Sequence, residues 1–135
     1  MRDELIKFLV KLNNEEKGGL LSVDIENYVD KIQKFATIIT IFKKGEIGAF
    51  IAFYENDKNR KMAYLTMIGV SKECKHQGYG KSLLELSINE IKKKGFELYS
   101  LEVKEDNFKA IKLYEKFGFR SIGVGQGKVN MEKHL

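Results

Sequence analysis

Two stretches of the chain carry residue types that can do chemistry. The first is Lys75-His76-Gln77-Gly78-Tyr79-Gly80-Lys81-Ser82, where an apolar strand-like run gives way to helical spacing. A helix start carries free N–H groups and a partial positive charge, so it attracts anions. Gly78 and Gly80 have no Cβ, which lets the backbone come close to a phosphate. The second stretch is Asn107-Phe108-Lys109-Ala110-Ile111-Lys112-Leu113-Tyr114, running on into Phe117-Gly118-Phe119. Asn107 can cap a helix, and Ala110, Leu113, Tyr114 and Phe117 then share a face at spacings of three and four. The ordinary account of Tyr114 is a core aromatic. The other account is a phenol delivered to a reacting centre.

Spelling excludes two competitors for the glycine loop. A Walker A loop ending at Gly80-Lys81-Ser82 needs a glycine at position 75, which is Lys75. A dinucleotide fingerprint needs a third glycine at position 83, which is Leu83. What is left is Lys-x-x-Gly-x-Gly at a strand-to-helix turn. Cys74 next to His76 suggests a thiol nucleophile, but no third group is in view to orient the pair. The chain has one cysteine and two distant histidines, which make no metal site.

The elements that must position these residues follow from periodicity. Residues 3–12 space Leu5, Ile6, Phe8, Leu9 and Leu12 as a helix, with Asp3 as its expected N-cap. Asn13 to Ser22 reads as a loop, and Asp24 to Phe35 as a second amphipathic helix. β-branched runs predict strands at 36–42, about 47–54 and 63–70, separated by turns at Lys44-Gly45 and Asn56–Asn59. A helix over 81–94 turns Leu83, Leu84, Leu86, Ile88 and Ile91 inward and ends at Gly95. A strand at 97–103, a helix at 107–117 and short strands near 119–124 and 129–133 complete the chain. The strand–helix–strand unit should be a right-handed crossover that sets 63–70 parallel to 97–103. The fold class is α/β (α+β): a mixed, mostly antiparallel sheet with helices on both faces.

At 135 residues the chain is expected to form a single domain spanning residues 1–135. Its net charge of +5 is spread among acids, as in Lys104-Glu105-Asp106. The one dense run, Lys92-Lys93-Lys94, lies at a helix end where cations complement the dipole. Nucleic-acid binding is therefore not expected. No apolar run approaches the ~20 residues of a membrane span, and the single cysteine suits a reducing compartment. The expectation is a cytoplasmic protein with no membrane partner.

The residues now resemble a known family. Lys75-x-x-Gly78-x-Gly80 opening a helix, then Leu101-Glu102-Val103, Asn107-x-x-Ala110-x-x-Leu113-Tyr114 and Gly118-Phe119, is similar to the GNAT superfamily of acetyl-CoA-dependent N-acetyltransferases. The similarity covers about residues 36–135. Lys75 stands where that family usually has Gln or Arg, and a basic residue there can still meet phosphate. The resemblance implies acetyl-CoA as co-substrate and no metal. Main-chain groups of Ile68 and Val70 would pair with the pantetheine arm like an added strand. Amides of Lys75, His76, Gln77, Gly78, Tyr79, Gly80 and Lys81 would hold the pyrophosphate. Asn107 would touch the cofactor arm, and Tyr114 would protonate the departing thiolate. Glu102 is the candidate base, because Leu-Glu-Val twelve residues before the tyrosine resembles the ribosomal-protein N-terminal acetyltransferases. Its ordinary account is a solvent-facing strand glutamate.

The chain also departs from the family. The strand that usually precedes the first helix is expected to be missing or rudimentary, because helical spacing starts almost at once. Acceptor specificity would come from residues 13–24 and about 123–128, and the second segment lacks the tyrosines that grip a peptide. The expected acceptor is therefore a primary amine on a small molecule. A protein N-terminal or lysine acetyltransferase and a non-catalytic acyl-CoA-binding module are the alternatives. Dimers are common in the family, which leaves a homodimer open.

Overall fold

A computed structural model describes residues 1–15 and 24–135. Helix α1 spans Arg2–Glu15 and α2 Ile25–Phe35. Strands β1 (Thr37–Lys43), β2 (Glu46–Asp57) and β3 (Met62–Val70) follow. A short 3-10 turn (Lys72–Cys74) leads to α3 (Tyr79–Lys93). After it come β4 (Leu98–Lys104), α4 (Phe108–Lys116), β5 (Arg120–Gly125) and β6 (Lys128–His134). The six strands form one sheet in the order β1-β2-β3-β4-β6-β5. Only β3–β4 pairs in parallel; every other neighbour is antiparallel.

Two apolar clusters sandwich the sheet. On one face Leu83, Leu84, Ile88 and Ile91 of α3 pack with Ile51, Phe53, Leu65, Tyr99, Leu101 and Phe119. On the other, Leu5, Phe8, Leu9 and Leu12 of α1 and Val29 and Ile32 of α2 cover Phe50 and Ala52. β2 is buried on both sides, so its side chains alternate between the two cores. Each fully buried leucine or isoleucine contributes roughly 1.5–3 kcal/mol.

The structure revises several expectations. Among the described residues the first element is α1. Asp3 lies inside the first turn of α1 rather than at its cap, where an acid still complements the dipole. That helix continues through Asn13, Asn14 and Glu15, which the sequence reading placed in a loop; the rest of that loop lies outside the described residues. Leu86 is exposed, because the inward slot one residue on belongs to buried Ser87. Ser87 Oγ donates to the Leu84 carbonyl (2.8 Å) and accepts from the Tyr99 hydroxyl (3.0 Å). A satisfied polar pair takes the place of a leucine there.

The β3–β4 ladder is short. It runs only from Met62↔Leu98 to Leu65↔Leu101, although both strands continue. At the same level β3 bulges: Phe53 faces Leu65 and Ala52 faces Met67, which leaves Thr66 unmatched. Beyond the bulge the two parallel strands part company.

Candidate functional site

The glycine loop lies just beyond the open end of that ladder. After β3 the chain makes the 3-10 turn, with the Cys74 amide donating to the Ser71 carbonyl at 2.9 Å. His76 has φ +66° and Gly78 φ +81°, left-handed conformations that swing the chain into α3. Gly78 is the N-cap and has no side chain to cap with. The first hydrogen bond of α3 into the cap runs from the Ser82 amide to the Gly78 carbonyl (3.0 Å). The amides of Tyr79, Gly80 and Lys81 therefore lack intrahelical acceptors and face an open cap, which makes an anion seat. A Cβ on Gly80 would meet only Val70 Cγ2, at 3.8 Å. Packing does not demand glycine there.

This loop and the start of α4 form the walls of a cleft of about 500 Å³. Val70, Lys75, His76, Gly78, Tyr79, Gly80, Lys81 and Asn107, all expected site residues, line it. Asn107 also caps α4, its Oδ1 accepting from the Ala110 amide at 3.2 Å. Ile68 packs against the α3 core instead, and the Gln77 side chain turns to donate to the Glu73 carbonyl at 3.3 Å. The sequence reading missed Lys109, Lys112 and Lys116, which bring the lysines on the cleft to five, with no acid among its described residues. Those three look like an ordinary solvent face of an amphipathic helix, so only the fold reveals them.

Tyr114 and Glu102 approach from opposite faces of the sheet. Tyr114 packs edge-on to Phe119 (5.8 Å between centroids) on the α3–α4 face. Burial pushes its phenol up to about 12, so it stays protonated at neutral pH. Its hydroxyl makes no hydrogen bond within the described residues, and the cleft wall ends beside it at Leu113. Along β4, Tyr99, Leu101 and Val103 face that core, which puts exposed Glu102 on the α1–α2 face. There the Tyr64 hydroxyl donates to Glu102 Oε1 at 3.4 Å. Burial, then the Glu102 charge, pushes Tyr64 up to about 12. Beside them the Tyr28 hydroxyl meets Thr66 Oγ1 at 2.9 Å, tying α2 to the bulge. Tyr114 and Glu102, expected as acid and base, thus lie on opposite faces of the sheet.

The fold thus assembles on one face an uncapped helix start, a β3 edge left unpaired by β4 beyond Leu65, and the protonated Tyr114 phenol packed on Phe119. The model of the acetyltransferase (GNAT) family matches residues 6–119, and the chain belongs to that family. Over 83 residues it is 37% identical to the [ribosomal protein bS18]-alanine N-acetyltransferase of Escherichia coli strain K12, covering 62% of this chain and 56% of that protein. The chain thus spans about half the length of the curated relatives it matches. In fold it is similar to the crystal structure of the ribosomal-protein-S18-alanine N-acetyltransferase from Escherichia coli (TM-score 0.80, 21% identity, 98% of this chain, 86% of that one). It is equally similar to the PaiA N-acetyltransferase from Thermoplasma acidophilum in complex with coenzyme A (TM-score 0.79, 21% identity, 99% and 92%). Among the described residues no helix is long and apolar enough to cross a membrane.

Proposed function

We propose that this chain is an acetyl-CoA-dependent N-acetyltransferase whose acceptor is the N-terminal α-amine of a protein. The observation that carries the reading is the break in the sheet after Leu65 and Leu101, with a basic cleft on one side and Glu102 on the other. The residues fit the co-substrate: an uncapped helix start and five lysines suit a polyanion, and the free edge of β3 suits an amide-bearing arm.

The chemistry needs one C–N bond made and one C–S bond broken. Glu102 takes a proton from the incoming ammonium, so that a neutral amine attacks the thioester carbonyl. Tyr114 gives a hydrogen bond, and finally a proton, to the sulfur as it leaves, and the second proton shed by the acylated nitrogen restores the phenol. Burial keeps the phenol protonated at neutral pH, so its O–H is available as a donor while negative charge develops on the sulfur. Direct attack needs no covalent enzyme intermediate. Cys74 is buried and plays no part in it.

The likeness to the ribosomal-protein-alanine enzyme favours a protein acceptor. Glu102 and Tyr64 offer carboxylate and phenol groups to such an amine even though the β5–β6 hairpin has no tyrosine. That missing grip is what favours the second reading, a small-molecule amine. Thiol release from acetyl-CoA, measured with peptides carrying free or blocked N-termini and with a panel of small amines, separates the two. Turnover of free but not blocked peptides is expected. Turnover confined to small amines would overturn the acceptor assignment.

A further inference from the structure

Coenzyme A carries two separate anionic groups, a pyrophosphate and a ribose 3′-phosphate. On the acetyl-CoA reading, on which this inference rests, the amides from Lys75 to Lys81 take only the first. The cleft has cationic lining that this leaves unused. Lys109, Lys112 and Lys116 all border it from α4. At about 100° per residue they fall within an arc of about 60°, with neighbouring Cβ atoms roughly 5–6 Å apart. All three are exposed, and none makes an ion pair with another described residue. Outward lysines on an amphipathic helix are commonplace. These differ in lining the same cleft as the phosphate loop, with no acid among its described residues to balance them.

We propose that Lys109, Lys112 and Lys116 form a subsite for the 3′-phosphate, through which the site selects coenzyme A over its 3′-dephospho form. The phosphate dianion sits at the mouth of the cleft, and the flexible lysine stems close on it as point charges. The three residues act on cofactor choice and take no part in the transfer step.

Calorimetric titration with coenzyme A and with 3′-dephospho-coenzyme A tests this without any acceptor. The wild-type chain binds coenzyme A about tenfold more tightly, as when three exposed charge contacts each add a few-fold. The preference shrinks in about 0.5 M salt. The triple variant Lys109→Gln, Lys112→Gln, Lys116→Gln binds both forms alike, at the wild-type affinity for the dephospho form. Lys112→Arg alone keeps the preference, showing that charge rather than helix integrity is being read. Equal affinity for the two forms in the wild type would overturn the subsite, and so would a triple variant that weakens both by the same factor. Binding of neither form would overturn the acetyl-CoA reading itself, and the subsite with it.

Discussion

Replacing Gly80 by leucine sets the fold and the site against each other. Gly80 is the second residue of α3, and an added Cβ would make only an ordinary van der Waals contact with Val70 at 3.8 Å. Leucine is a better helix former than glycine by up to about 0.8 kcal/mol, so the fold should gain slightly, by roughly 1–4 °C in Tm for a domain of this size. The rest of the side chain must then occupy the cleft over the amides of Tyr79, Gly80 and Lys81. Each hydrogen bond to a charged group is worth about 1.5–3 kcal/mol, so losing one or two should weaken coenzyme A binding on the order of 10- to 10,000-fold. Scanning calorimetry and a titration with coenzyme A on the same sample read both effects. A loop glycine kept for packing gives the opposite result, lower Tm with unchanged affinity, and that would refute the anion-seat argument.

Four further outcomes follow from the same geometry. Tyr114→Phe should lower kcat by about 10- to 1000-fold and leave coenzyme A affinity nearly unchanged; wild-type turnover would remove the phenol from the mechanism. Glu102→Gln should lower kcat by about 10- to 1000-fold while leaving coenzyme A binding intact, and wild-type turnover would point to a different base. Gly69→Ala should cost about 1–3 kcal/mol in denaturant titration, because its Cβ would fall 2.4 Å from Leu12 Cδ1 between α1 and β3. Tyr28, Tyr64 and Tyr114 keep their protons to about 12, whereas an unfolded chain loses them near 10. Stability from that source is complete below pH 10 and is lost as pH rises from about 10 to 12, which Tm measured against pH will show.

The sequence made the loop and the α4 start legible because both are local. Gly78, Gly80 and Asn107 act through backbone geometry within a few residues, and their spacing survives as a pattern. Helix α3 was legible except at Leu86, where an apolar residue faces water and Ser87 is buried; the hydroxyl pairing that allows this depends on Tyr99 of another strand. The C-terminal turn of α1 was missed because Asn13, Asn14 and Glu15 read as a loop. The relation between Glu102 and Tyr114 could not be read at all. It depends on where the β3–β4 ladder stops and on a bulge at Thr66, and no residue type announces either. The lysines of α4 were invisible for the opposite reason, since a solvent face and a cleft wall are spelled alike.

In the proposed mechanism two substrates meet at the break between β3 and β4 from opposite faces of the sheet. A conjugate joining coenzyme A through an acetyl bridge to a peptide α-amine would have to span that break. Such a conjugate should bind at least about 100-fold more tightly than coenzyme A alone. Tyr64→Ala should abolish the gain without changing coenzyme A affinity. A conjugate that binds no better than coenzyme A would contradict that mechanism.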